Sequence, residues 1–229
     1  MRTQLHADIR IHDADAAASL VRIVAKRPGT HVLLVGPPGG GKTMLARRIA
    51  RAVPAPSGDV AVELAWLWLG SRLRSADELP LTEAPFRAPH HTCSSPGLLG
   101  GGAPIRPGEV SLAHGGVLFL DELPEFRARA LEGLAHAVRA GASEVCRARD
   151  RLRFPAAPWC VVAAMDPCAC GWTYTRRPCV CNADAIERHW RRIEPFRPVL
   201  DHAIVADVRL DHGAFAELDR ALPGCRGAA

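Results

Sequence analysis

Residues 32–48 read VLLVGPPGGGKTMLARR. An apolar run meets a turn of glycine and proline, then a lysine and a helix-like segment. The spacing fits G-x-x-x-x-G-K-[ST], with Gly36, Gly41, Lys42 and Thr43 at the fixed positions and Pro37, Pro38, Gly39 and Gly40 between them. A backbone poor in side chains lets N–H groups converge on phosphate oxygens at the positive end of the helix that follows. Lys42 is placed to reach the β/γ oxygens of ATP as a point charge, and the Thr43 hydroxyl to ligate Mg2+. The context agrees, because His31–Val35 reads as a buried strand and Met44–Val53 as a helix. Of the 29 basic residues only Lys26 and Lys42 are lysines, so a residue avoided almost everywhere else stands where this loop needs one.

The chain has 229 residues, 48% of them apolar, and a net charge of +5. That length suits one α/β domain, or one domain with a small appendage, and the composition excludes a disordered chain. The mild positive balance permits an anionic partner such as nucleic acid without requiring one. The opening MRTQLHADIR lacks the layout of a secretory leader, and no apolar run approaches the length of a membrane span. Both points lead to the expectation of a cytoplasmic protein with no membrane partner. In a reducing compartment the 8 cysteines point to metal or core roles rather than disulfides.

Working outward from the loop, residues 7–25 carry helix-like apolar spacing through Ile9, Ile11, Ala16, Leu20 and Val24. Residues 60–73 read as a helix, and residues 80–107, rich in Pro, Gly and His, as largely loop with room for one short helix. A second buried strand is expected over 116–120, a helix over 128–140, a hairpin over 144–154 and a third buried strand over 160–165. A fourth strand fits residues 203–208. Strands alternating with helices imply an α/β fold, a parallel sheet with helices on both faces.

Residues 117–122 read VLFLDE, four apolar residues ending in two acids. A buried strand ending in this way brings Asp121 near a bound Mg2+ and Glu122 near the γ-phosphate, where it can orient or deprotonate the attacking water.

The segments FRAPHHT (86–92), LLGGGAPIRPGEVSLAHGGVLFLDELPEF (98–126) and VVAAMDPCACG (161–171) resemble the Mg-chelatase-like AAA+ ATPases of the ComM/YifB type. The resemblance spans about residues 7–181. It implies a P-loop NTPase core of the AAA+ type and hexameric ring motors that migrate DNA branches in recombination and natural transformation. More remotely it implies the motor subunit that drives magnesium insertion into porphyrin. By the same resemblance Gly36–Thr43 is the phosphate loop, Asp121 the metal-side acid, Glu122 the catalytic glutamate, and residue 166 the sensor of the γ-phosphate.

Three departures stand out. The family's sensor is usually Asn, and here it is Asp166; an amide can donate to a phosphate oxygen, whereas an ionised carboxylate only accepts. The family's finger arginine falls at His202, within FRPVLDHAI (196–204). A finger contributes about 10³–10⁵ in rate, of which a neutral histidine supplies little. The Lon-like N-terminal domain and helical lid of the family are expected to be missing. The division expected is a core over 1–210, including a Cys-rich loop at 168–181, and a C-terminal tail over 211–229.

Cys168, Cys170, Cys179 and Cys181 form C-x-C-x8-C-x-C. They are either a tetrahedral Zn2+ site or a loop of four unligated thiols. Cys93, Cys146, Cys160 and Cys225 read as isolated core or surface thiols. Arg147, Arg149, Arg151 and Arg153 alternate along the expected hairpin. In related ring motors such a hairpin touches DNA phosphates in the central pore; the alternative is a solvated basic hairpin. His90 and His91 read as loop residues pointing apart. The resulting expectation is ATP binding with weak or partner-dependent hydrolysis in a protein acting on DNA. The alternatives are a non-hydrolysing nucleotide-binding module, a subunit of a mixed ring, and, more remotely, a chelatase motor subunit.

Overall fold

The three apolar runs VLLV, VLFL and CVVAAM become the middle strands of one sheet, and every residue in them is buried. The computed structural model describes residues 8–79, 81–147, 150–173, 175–200 and 203–222; Arg149, His202 and Cys225 lie outside these, and so do residues 223–229. In chain order the elements are β1 (Ile9–Ile11), α1 (Ala14–Lys26), β2 (Val32–Val35), α2 (Lys42–Ala52), α3 (Gly58–Gly70) and β3 (Phe86–Arg87). Next come α4 (Ser95–Leu99), β4 (Gly100–Gly101), β5 (Arg106–Pro107), α5 (Glu109–Leu112), β6 (Val117–Leu120) and α6 (Ala128–Ala140). The described chain closes with β7 (Ala142–Arg147), β8 (Asp150–Pro155), β9 (Cys160–Met165), α7 (Ala183–Arg191), α8 (Arg197–Leu200), β10 (Ile204–Val208) and α9 (His212–Ala221).

The main sheet has the order β1-β10-β2-β9-β6-β3, with all its pairings parallel. Val35 lies opposite Met165, and Leu120 opposite Ala163. The carboxyl ends of β2, β9 and β6 therefore meet along one edge, where ligands of open α/β sheets bind.

Because side chains alternate across a strand, each central strand feeds two cores. Val32, Leu34, Phe119, Val162 and Ala164 pack with Leu20 and Val21 of α1, Leu45 and Ile49 of α2, and Phe215 and Leu218 of α9. Leu33, Val35, Leu118, Leu120, Val161 and Met165 face the other way, onto Leu131 and Leu134 of α6 and onto Phe196 and Val199. Helices thus cover both faces, as the alternation of apolar runs implies. Burial of each Leu, Val or Phe contributes about 1.5–3 kcal/mol.

The structure departs from the sequence reading at two places and adds an element at two more. Ile9–Ile11 is an edge strand on β10, and the helix begins only at Ala14, where the Asp13 side chain accepts from the Ala16 N–H at 2.8 Å. Phe86–Arg87, expected as loop, pairs with Val117 and Leu118 at the far edge. Residues 183–191 form α7, capped by Asn182 on the Ala185 N–H. Within residues 211–222, Asp211 caps α9, and Phe215, Leu218 and Leu222 enter the first core.

Phe215 is only 4% exposed and touches both the phosphate loop and Arg48, whose guanidinium lies 5.2 Å from the ring centre. Phe215→Ala should therefore lower unfolding free energy by about 3–5 kcal/mol in a denaturant titration. A change below about 0.5 kcal/mol would mean that α9 contributes nothing to the core.

Candidate functional site

The loop after β2 closes against the sheet because it is short of side chains. Gly36 donates its N–H to the Met165 carbonyl at 3.3 Å, and a Cβ at this position would collide with the Val208 carbonyl oxygen. Gly41 has φ +86° and caps α2 from the left-handed region, with the Phe215 ring where its Cβ would lie. The positive φ is what turns the chain from loop into helix and aims the first N–H groups of α2 at the edge of the sheet.

Lys42 opens α2 and folds back under the loop. Its ammonium donates to the carbonyls of Gly36 at 2.8 Å and Pro37 at 3.0 Å, and to Asp166 Oδ1 at 2.8 Å. An ammonium has three protons, so all of its donor capacity is taken within the protein. Asp166 reaches Lys42 because it directly follows β9, one position past the Val35–Met165 pair. Its backbone carbonyl is held by His189 Nε2 at 3.0 Å, and the Pro167 carbonyl accepts from Trp190 Nε1 at 3.0 Å. Two residues of α7 thus anchor the segment that carries Asp166, a role that sequence reasoning missed.

On the other side, Thr43 Oγ1 donates to Asp121 Oδ2 at 3.0 Å, and the other Asp121 oxygen accepts the Glu122 N–H at 3.0 Å. Glu122 sits at φ 52°, ψ 49°. This left-handed geometry is uncommon for a residue with a side chain and recurs at functional sites. Its carboxylate pairs with His91 Nδ1 at 2.9 Å. His90 and His91 do not point apart as expected: their ring centres are 4.0 Å apart. The reason is a turn, in which the Cys93 N–H reaches the His90 carbonyl at 2.8 Å, so the segment is not extended.

Gly39, Gly41, Lys42, Thr43, Asp121, Glu122 and Asp166 line one open cleft of about 340 Å³. Three carboxylates against one ammonium leave its walls with a negative balance. A polyphosphate entering it needs a divalent cation beside Thr43 and Asp121, the hard oxygen donors that Mg2+ prefers. The residues present fit that pairing of nucleotide and metal.

About the remaining candidates the structure is specific. Cys168, Cys170, Cys179 and Cys181 converge, with all four sulfurs within 4.8 Å of one another. The Cys170 thiol is held down at about 6, chiefly by the Trp172 and Val180 backbone N–H groups. Cys160 is buried in β9, which pushes its thiol up, while Cys146 is exposed and Cys93 half-buried. The hairpin β7–β8 forms, with Glu144 opposite Arg153 and Cys146 opposite Arg151. Arg151 and Arg153 are exposed, and Arg151 pairs with Glu144 at 2.7 Å. Among the described residues no helix is long and apolar enough to cross a membrane.

A glycine-rich loop after a central parallel strand, with acids at the ends of two neighbouring strands, defines a P-loop NTPase core of the AAA+ type. The chain belongs to the Mg-chelatase family: residues 8–211 match the family described as "Magnesium chelatase, subunit ChlI". It is 45% identical over 143 residues to YifB of Escherichia coli K12, an alignment covering 62% of this chain and 28% of that protein. It is 40% identical over 183 residues to the competence protein ComM of Haemophilus influenzae, covering 77% of this chain and 34% of that protein. The chain thus spans about a third or less of these relatives. A crystal structure of NtrX from Brucella abortus shares the fold, with TM-score 0.50 and 16% identity over 83% of this chain and 36% of that one.

Gly41→Ala forces a side chain into the left-handed region and its Cβ to 2.7 Å from the Phe215 ring. It should cost more than about 1 kcal/mol of stability, read as a lowered denaturation midpoint. Gly39 also has a positive φ but meets nothing within 4 Å, so Gly39→Ala should cost less. Equal midpoints for the two variants would contradict this account of the loop.

Proposed function

We propose that this chain binds ATP together with Mg2+, with weak or partner-dependent hydrolysis, as a Mg-chelatase-like protein of the ComM type that acts on DNA. The observation that carries the reading is the meeting of Lys42, Thr43, Asp121, Glu122 and Asp166 around one cleft at the carboxyl edge of the sheet. In this reading Gly36–Thr43 cradle the phosphates, Thr43 and Asp121 hold the metal, and Glu122 orients the attacking water. Bound Mg2+ would supply positive charge to the β and γ oxygens. The pairing of Glu122 with His91 supports a glutamate whose carboxylate is held aside until the site fills.

Weak turnover follows from Asp166. Its carboxylate accepts from Lys42 and offers no proton to a phosphate oxygen. His202, in place of an arginine, adds little transition-state charge to a neighbouring site. The DNA contact proposed is to phosphates, through Arg147, Arg149, Arg151 and Arg153 in a ring. The Lys42–Asp166 pair also supports a second reading, a nucleotide-binding module that does not hydrolyse, acting by itself or as a subunit of a mixed ring.

Lys42→Ala should weaken ATP binding about ten- to hundredfold by calorimetry. Equal affinity of wild type and variant would remove the basis of the assignment. Turnover is to be measured with and without single-stranded and branched DNA, and mixed with an intact relative. The chain alone should hydrolyse ATP barely above background. Restoring Asn at 166 and Arg at 202 together should raise the rate more than the two single changes combined, because such groups act as one unit. Strong hydrolysis by the unmodified chain, abolished by Glu122→Gln, would show that Asp166 and His202 are not defects.

A further inference from the structure

We infer that Cys168, Cys170, Cys179 and Cys181 bind one zinc ion, and that the metal closes the loop that holds Asp166 beside the phosphate loop. This goes beyond the nucleotide reading and does not depend on it. A tetrahedral zinc with Zn–S bonds of about 2.3 Å sets its sulfurs about 3.8 Å apart. The sulfurs of Cys168, Cys170 and Cys179 already form a triangle with edges of 3.4, 3.7 and 3.5 Å. Cys181 completes the set within 4.8 Å. These separations are far beyond an S–S bond of about 2.05 Å. An all-thiolate set, with neither histidine nor carboxylate in it, is the soft donor set that suits zinc.

The surroundings are those of a metal-binding knuckle. The Thr173 N–H points at Cys168 Sγ at 3.4 Å, and the Cys181 N–H at Cys179 Sγ at 3.4 Å. Such donors stabilise thiolates and fix ligand orientation. Gly171, directly after Cys170, turns the chain at φ +81° so that the first C-x-C pair bends back on itself. The loop has little apolar anchorage of its own: Cys168 is fully buried, but Val180 is 86% exposed. A cross-link through the sulfurs is what a loop so poor in core needs.

The loop also sets the functional edge. A Cβ at Gly171 would lie 2.7 Å from Pro38 Cδ and 3.3 Å from Asp166 Oδ2. The knuckle turn therefore rests on the phosphate loop and on the carboxylate that holds Lys42. Asp166 is fixed from one side by His189 and from the other by the cysteine loop that follows it.

The test starts from the full chain purified without chelator. Elemental analysis should give about one zinc per chain. Replacement by Co2+ should produce the intense thiolate-to-cobalt absorption of a tetrahedral four-sulfur site. Cys170→Ser with Cys179→Ser should retain less than about a tenth of that metal. Stripping zinc should speed amide exchange across residues 166–173 by at least about tenfold and leave α6 unchanged. A folded wild-type chain that is metal-free and takes up no added zinc, iron in place of zinc, or two disulfides by mass would overturn the site. Zinc bound with unchanged exchange at 166–173 would overturn its link to Asp166. The wild-type measurements decide the matter even where the double variant fails to fold.

Discussion

Val35 of β2 sits opposite Met165 of β9, and Leu120 of β6 opposite Ala163. That parallel register brings Gly36, Asp166 and Asp121 out at one edge of the sheet, although 130 positions of sequence separate the first two. A slip of one residue between β2 and β9 would turn every side chain of one strand to the opposite face. It would bury the wrong set of residues in both cores and carry Asp166 away from Lys42. The register is secured by apolar runs buried on both faces, so the site inherits its geometry from the same contacts that hold the fold together.

Support from a neighbouring strand and from two helices fixes the edge. The Val208 backbone of β10 presses on Gly36, and Phe215 of α9 on Gly41. His189 and Trp190 of α7 hold the carbonyls of Asp166 and Pro167. None of these groups faces the cleft itself. They belong to elements late in the chain, and they fix the dihedral angles of the loop residues that do line it.

How much of this was legible in the sequence follows from the range of each interaction. The phosphate loop declares itself because its requirements are local: glycines where the backbone must crowd or turn, then Lys42 and Thr43 in fixed order. β6 and β9 are legible as uninterrupted apolar runs, and α6 as a periodic one. β1 is hidden because its three residues, Ile9–Ile11, merge into the apolar spacing of α1; β3 is hidden by having only two. α9 had readable signals, an Asp cap followed by Phe215, Leu218 and Leu222 at helical spacing, but its charged outer face resembles a tail. The His91–Glu122 contact was not legible at all. It depends on a turn at His90 and on the left-handed backbone of Glu122, both set by tertiary packing.

The three acceptors around the Lys42 ammonium have a thermodynamic consequence. With Gly36, Pro37 and Asp166 satisfying every proton, the positive charge is not waiting in an empty socket. On the proposed nucleotide reading, a phosphate would have to trade places with one of these partners, so capture would be an exchange whose strength is the difference between two charge-assisted contacts of similar kind. Such a pocket keeps its shape without ligand, because the lysine is already anchored in place. It also gains little from a ligand that merely matches the contact it displaces. On that reading, selectivity among anions would rest with the bond to Asp166, the one charged partner in the set, and with the cation that compensates its carboxylate.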